Sequence, residues 1–145
     1  MDTPIKTLAP SILQFAHLFV MPGLVLLIPE PGFILGLKPW VFWILELAAL
    51  VYTLFMIGMT KYEVTSLRVG AKSVDIKSFG IINTAVPIEN ITDIYVRQNP
   101  IQALLGIGNV EVDTAGSDGI ELVMVGVENP IEIQNLIIGL KGGIQ

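Results

Sequence analysis

Apolar and polar residues divide the chain into two parts near Lys61. Before this point apolar residues form two long runs, and residues 1–60 carry only five charged side chains: Asp2, Lys6, Glu30, Lys38 and Glu46. After it, apolar residues alternate with polar ones in short stretches, a period of two that is typical of half-buried β-strands. The pattern predicts a membrane α-helical hairpin over residues 1–60, followed by an all-β domain over residues 61–145 with one C-terminal α-helix.

The two apolar runs cover residues 8–28 and 40–59 and are long enough to cross a bilayer. They contain 21 and 20 residues, and a spanning helix needs about 20. Pro29-Glu30-Pro31-Gly32 between them is a turn signal, so we expect an antiparallel hairpin. Buried helices of a soluble protein and a cleaved signal peptide are the alternatives. Neither run has a polar face, and the first exceeds a signal-peptide core of about 7–15 residues.

Lysine and arginine near the ends of the two runs predict the orientation in the membrane. Four of them, Lys61, Arg68, Lys72 and Lys77, follow the second run closely, whereas Lys38 alone lies in the connecting loop. Cytoplasmic segments carry the excess of positive side chains. We therefore expect an integral protein of the inner, cytoplasmic membrane with both termini in the cytoplasm.

Three polar residues within the apolar runs are candidates for intramembrane contacts: Gln14, His17 and Glu46. Ionisable groups inside a membrane are functional hypotheses by default. At 1.5 Å per residue, His17 and Glu46 would lie about 14 Å and 20 Å from the cytoplasmic ends of their helices. A His17–Glu46 contact within the hairpin is therefore one interpretation. The others are contacts with another membrane subunit, a hydrogen bond between His17 and Gln14, and His17 as a haem or pigment ligand.

The second part of the chain contains six β-rich stretches and one amphipathic helix. The stretches are bounded by Gly, Pro, Asn or Asp and cover residues 62–69, 74–77, 81–88, 91–98, 110–113 and 120–127. Short strands with close turns predict an antiparallel barrel or sandwich. Asn129 and Glu132 then have the spacing of a capping box around Pro130. The apolar residues that follow share one helix face, which predicts a helix over about 130–141: Ile133, Leu136, Ile137 and Leu140.

The order of these segments carries a resemblance to a known family. The matching pieces are residues 62–69, 79–82, 86–94, 98–110, 113–116 and the pair Asn129-Pro130. In this order they resemble the bacterial pleckstrin-homology-like domain of small membrane proteins, where it directly follows paired transmembrane helices. The resemblance implies a seven-stranded, strongly bent β sandwich capped by a C-terminal helix. It also implies similarity to assembly or accessory factors of membrane complexes.

Charge limits the partners of the β domain. Residues 61–145 carry six positive and ten negative side chains, a net charge of −4 within a total of −5. Nucleic-acid binding needs clustered Lys and Arg, so this balance argues against it. The candidates for a lipid-headgroup contact are Arg68, Lys72, Lys77 and Arg97. Family members commonly have a basic residue at the position of Ala103, which weakens the headgroup interpretation.

The residues offer no catalytic constellation, and we expect a non-enzymatic protein without cofactor or metal. The chain has no cysteine, and its one histidine, His17, lies in an apolar run, so a Ser-His-Asp site in the β domain is excluded. The sequence favours an accessory, scaffold or assembly subunit of a larger membrane complex, with integral-membrane partners and the possibility of homo-oligomers. The alternative is a membrane-anchored module that binds a lipid headgroup or a peptide.

Overall fold

The computed structural model describes residues 3–18, 20, 39–75, 80–116 and 119–143. Its strands are β1 Pro4–Leu8, β2 Lys61–Thr65, β3 Arg68–Asp75, β4 Gly80–Pro87, β5 Ile91–Arg97, β6 Ile107–Thr114 and β7 Ile120–Glu128. Its α-helices are α1 Pro39–Met59, α2 Pro100–Leu104 and α3 Pro130–Gly142. Two short 3-10 helices lie at Ile12–Phe15 and Ile88–Asn90.

The strands form two antiparallel sheets. One has the order β1-β2-β3-β4 and the other the order β5-β6-β7. Within the described residues this gives seven strands, which confirms the sandwich with a C-terminal helix. The expected first strand over 62–69 is divided by a turn, because the Thr65 hydroxyl accepts hydrogen bonds from the amides of Leu67 (3.4 Å) and Arg68 (3.0 Å).

The seventh strand, β1, precedes the apolar segment and was not predicted. It pairs with β2 so that Thr7 lies opposite Glu63 and Leu8 opposite Tyr62. The prediction that a helix begins at residue 8, and that residues 1–60 are all hairpin, is therefore wrong at its start. Only Leu8 of β1 belongs to the apolar run that follows, and residues 4–8 show no alternation of apolar and polar positions, which concealed the strand. The rest of the predicted first span, in residues 21–28, and the connecting loop with Lys38 lie outside the described residues.

Helix α1 coincides with the predicted second span. Residues 40–59 form the single described helix whose length and composition would allow it to cross a membrane, and 11% of the tested stretch is buried. Core helices of soluble proteins pass the same test but are mostly buried. The most buried side chains are Phe42 and Thr53, with Glu46 and Ala49 between them at half-buried positions. The spacing of four, three and four residues places them on one face, so Glu46 belongs to the buried stripe.

The hydrophobic core lies between the two sheets and is closed by α3. Val64, Val69, Val110 and Met124 are fully buried. Ile133 and Ile137 of α3 are also 0% exposed, and the other two residues of the predicted apolar face pack against the same core: Leu136 and Leu140. The amphipathic helix is thus confirmed, and its burial locks the two sheets together through the hydrophobic effect.

The predicted capping box at the start of α3 is wrong. Asn129 adopts the left-handed conformation (φ 48°, ψ 57°) and makes no side-chain cap. Its amide instead donates to the Gly106 carbonyl at 2.9 Å, and Glu132 forms an ion pair with Lys6 of β1 at 2.6 Å. Pro130 does occupy the first turn, where its missing N–H costs nothing.

The capping box occurs instead at the short helix α2. The Asn99 side chain accepts from the Gln102 amide at 2.8 Å, and the Gln102 side chain accepts from the Asn99 amide at 2.9 Å. Gly106 follows with φ +68°, which glycine adopts without steric cost. A turn therefore follows Leu104-Leu105, and it is preceded by one turn of helix.

Candidate functional site

The segment after β1 is fastened to the β domain by hydrogen bonds. The Ser11 amide donates to the Gly126 carbonyl at 2.7 Å, and the Ser11 hydroxyl donates to Glu128 Oε1 at 3.1 Å. Gly126 lies at a β-bulge opposite Asn109 with φ +64°. A Cβ atom on Gly126 would approach the Gln14 side chain to 2.7 Å. Only glycine therefore allows this segment to pack so closely on β7.

Tyr62 fastens the other end of the apolar segment. Its hydroxyl accepts from the Val125 amide at 2.9 Å and donates to the Val125 carbonyl at 3.3 Å. Tyr62 is 2% exposed, and this burial raises the pKa of the phenol above its ordinary value of 10.0, although the hydrogen bond to the Val125 backbone lowers it in part. Both ends of the segment between β1 and β2 are thus held by the backbone of β7.

The structure does not bring His17 and Glu46 together. His17 Nδ1 donates to the Gln14 carbonyl at 3.2 Å, and its side chain lines a cavity with Met56 and Thr60. Ten residues separate Glu46 from Met56, about 15 Å along α1. The predicted depth of His17 assumed a helix that begins at residue 8, where the structure has the end of β1; the depth itself stays a prediction. Contacts of His17, Gln14 or Glu46 with a partner, and His17 as a pigment ligand, remain predictions.

Gln14 connects the same segment to α2. Gln102 Nε2 donates to Gln14 Oε1 at 2.9 Å. Because Gln102 Oε1 also accepts from the Asn99 amide in the capping box, both polar atoms of the Gln102 side chain are hydrogen-bonded. This network was not predicted, since it depends on residues that are 88 positions apart in the chain.

Two of the predicted headgroup residues lie together on the outer face of the first sheet. Arg68 and Lys72 line an open cleft of about 440 Å³ whose floor includes Gly70 and whose wall includes Lys61 and Glu63. Lys61 is directly opposite Lys72 across β2 and β3, and like charges in such a pair repel each other. Lys61 was missed, although a turn centred on Ser66-Leu67 would have placed the two lysines opposite each other.

The other two predicted headgroup residues do not join this cleft. Arg97 lies on the second sheet, where its Nε is 2.8 Å from Oε2 of the buried Glu111. The two opposite charges form an ion pair, although its geometry does not give Glu111 Oε2 a hydrogen bond. Lys77 lies outside the described residues. The structure thus brings Lys61, Arg68 and Lys72 together in one cleft, whereas Arg97 lies apart from it beside Glu111. The headgroup contacts of these residues stay predictions.

In the part of the chain that the structure describes, no group of three or more His, Cys, Asp or Glu side chains is placed so that it could hold a metal ion.

Comparison with known proteins establishes the family. The model of the bacterial PH domain family matches residues 12–141, and the chain therefore belongs to that family. PH-like domains are generally non-catalytic binding modules. A crystal structure of a DUF1696 family protein with a pleckstrin-homology domain from Shewanella loihica PV-4 is similar at 15% identity, with a TM-score of 0.45, over 59% of this chain and 73% of that one. A search of curated proteins finds no match.

Proposed function

We propose that the chain is a non-enzymatic accessory or scaffold subunit of a membrane protein complex. A transmembrane hairpin between β1 and β2 packs on partner helices, and the PH domain docks on the cytoplasmic face of the same partner. The cytoplasmic side follows from the Lys and Arg residues after α1.

The observation that carries this proposal is the position of the apolar segment between two paired strands. Leu8 and Tyr62 are cross-strand neighbours, so the chain leaves the sheet and returns to it at adjacent points. If α1 crosses the bilayer, the chain must cross once more between residues 9 and 38, because β1 and β2 belong to one sheet. The pairing of β1 with β2 therefore supports a hairpin, with both termini on the side of the PH domain.

The exposed surface of α1 supports helix packing against a partner. Trp43, Leu47 and Val51 are each more than half exposed. Ala48 and Gly58 are exposed as well, and a Cβ on Gly58 would meet nothing within 4 Å. Small residues let helix backbones approach closely in lipid. A partner helix could therefore pack on this surface without displacing the buried stripe of α1.

The hydrogen bonds of Ser11 and Tyr62 to β7 support the scaffold role. They fix the PH domain to both ends of the apolar segment, so that the domain has a defined position at the membrane surface. A subunit that must contact one partner both within and outside the bilayer needs such a fixed geometry.

Affinity purification from native membranes in mild detergent tests the proposal. We expect an integral-membrane partner at stoichiometric amounts. Ala48→Leu adds a bulky side chain to the packing surface and should release the partner, whereas Val51→Leu, a matched apolar change on an already large residue, should retain it. Recovery of a monomer without a partner would contradict the proposal.

The basic cleft favours a second function, the binding of an anionic lipid headgroup. Native mass spectrometry of the detergent-purified full chain, loaded with phosphatidylglycerol, would measure bound lipid. The double variant Lys61→Gln/Lys72→Gln should lose it, whereas Lys141→Gln, on α3 and outside the lining of the cleft, should not. Equal lipid retention in both variants would exclude the cleft as the binding site.

A further inference from the structure

We propose that α2 lies in the bilayer interface and that Ile101 and Leu104 contact lipid acyl chains. The occupant of this surface is the membrane itself. The inference rests on the proposed membrane insertion of α1 and adds a second, independent contact between the PH domain and the bilayer.

Two apolar side chains of α2 face away from the protein. Leu104 is 87% exposed and Ile101 is 70% exposed, which makes them the most exposed large apolar residues in the described part of the chain. Residues 98–110 contain no charged side chain, whereas the rest of residues 61–145 carries sixteen. Ile101 and Leu104 are one helical turn apart, so their side chains are neighbours on the surface of α2. A contiguous exposed apolar patch, unlike a single exposed apolar residue, marks an interaction surface.

The position of α2 relative to α1 favours the bilayer as the partner. Gln102 of α2 donates to Gln14, and Gln14 lines a cavity with Met56 and Thr60 at the end of α1. Thus α2 lies at the level where the candidate membrane span ends. An apolar surface at that depth meets the boundary between headgroups and acyl chains, which is where interfacial helices bind.

An apolar groove joins α2 to the segment that precedes α1. It has a volume of about 430 Å³ and is lined by Leu13, Val20, Ile101 and Leu105 among others. Val20, which is 53% exposed, belongs to the predicted first apolar run. Ile101 of α2 and Val20 of the segment expected in the membrane therefore line one groove, whose lining is mostly apolar and also includes Gln14 and Gln102.

The local structure of α2 suits a membrane interface. The capping box of Asn99 and Gln102 satisfies backbone donors at the helix start, and the Leu105 amide donates to the Ile101 carbonyl at 3.0 Å. Unpaired backbone groups are costly in an apolar environment. Because these groups are satisfied within the protein, the tip of α2 can leave water at little cost.

The absence of cysteine in the chain allows a direct test with single-cysteine variants. Leu104→Cys carries an environment-sensitive NBD label in the full chain, which is reconstituted in nanodiscs without nitroxide, with lipids that bear a nitroxide near the carbonyl, or with lipids that bear it at the end of the acyl chain, the depth that suits Leu47. Leu47→Cys on α1 is the membrane control. Ala115→Cys is the aqueous control. The Ala115 amide donates to the Asn90 carbonyl, and Asn90 lies immediately before β5, whereas α2 follows the end of β5.

We expect a blue-shifted emission and at least twofold quenching by nitroxide lipid at Leu104→Cys and Leu47→Cys, and neither at Ala115→Cys. Quenching at Leu47→Cys but not at Leu104→Cys would overturn the inference and leave the proposed function intact. If the Leu104→Cys label is protected from aqueous iodide but is not quenched by nitroxide lipid, protein and not lipid covers it, and this result would also overturn the inference and leave the proposed function intact. Absence of quenching at Leu47→Cys would refute the membrane hairpin and the inference together.

Discussion

Substitution of Gly126 tests the attachment of the apolar segment to the β domain. Gly126→Ala has two consequences. The residue keeps φ +64°, which costs an L-residue about 1–2 kcal/mol. Its new Cβ also lies 2.7 Å from Gln14 Cβ and Cγ. Gln14 must therefore move, which breaks its hydrogen bond to Gln102.

The second consequence can be separated from the first by a matched glycine. Gly106 has φ +68°, and a Cβ there would meet nothing within 4 Å. Gly106→Ala should therefore cost only the backbone term of about 1–2 kcal/mol. Gly126→Ala should cost a further 1–3 kcal/mol, approximately, from overpacking and the lost hydrogen bond. Gly116→Ala, with open space and no positive φ, should change little.

The assay is thermal unfolding of the purified chain in detergent, followed by the amide I band of the β-sheet. A loss of 1 kcal/mol lowers Tm by about 2–4 °C in a chain of this size. We expect Gly126→Ala to unfold several degrees below Gly106→Ala. Adding Gln14→Gly to the Gly126→Ala variant removes the clashing side chain and should restore most of that difference. Equal Tm values for Gly126→Ala and Gly106→Ala would refute the packing of Gln14 on β7.

Three further predictions concern the β domain. The raised pKa of Tyr62 means that the folded state holds the phenol proton more tightly than the unfolded state, so stability should fall as pH rises above about 10. Tyr62→Phe should remove this alkaline loss in Tm measurements between pH 9 and 11. The same variant should lower Tm at neutral pH, because it loses the hydrogen bonds to Val125. Arg97→Gln leaves the buried Glu111 without its cation and should lower stability by about 1–3 kcal/mol in the same assay, yet leave the lipid bound in native mass spectra unchanged. Ile137→Ala should cost about 2–5 kcal/mol in the unfolding assay, whereas Ile138→Ala, at a position that is 51% exposed, should cost much less; equal losses would contradict the placement of α3.

The elements that follow from local periodicity could be predicted from the sequence. The apolar length of α1, the strands β4 to β7 and the buried face of α3 each depend on residues that are near one another in the chain. The stretches predicted over 62–69 and 74–77 do not match β2 and β3, because the turn after Thr65 divides the first of them. The strand β1 could not be found from periodicity, because residues 4–8 show no alternation of apolar and polar positions. Its recognition needs the pairing with β2, more than 50 residues away.

Two copies of one local motif show where such reasoning stops. Asn99-Pro100-Ile101-Gln102 and Asn129-Pro130-Ile131-Glu132 have the same capping-box spacing, yet only the first forms the box. At the second, β7 runs directly into the helix, and the amide of Asn129 is taken by Gly106. Tertiary contacts, which the motif does not contain, decide between the two outcomes.

The candidate site depended on register in the same way. Arg68 and Lys72 were recognised as positive residues, but only the turn at Ser66-Leu67 brings Lys61 opposite Lys72. Arg97 carries the same positive charge, but it lies on the second sheet, where it forms an ion pair with Glu111 on the neighbouring strand. Charge alone does not distinguish a binding residue from one that balances a buried carboxylate.

The central claim is that the apolar segment is inserted between two paired strands of the PH domain. A disulfide between Thr7→Cys and Glu63→Cys in native membranes tests it most directly, because the two residues are cross-strand partners and such Cα pairs lie within disulfide range. The control Thr7→Cys/Gly70→Cys places the second cysteine one strand further, about 10 Å from the first. We predict rapid intramolecular crosslinking of the first pair under mild oxidation and none of the second. Failure of the first pair to form, or its formation only between separate molecules, would contradict the insertion.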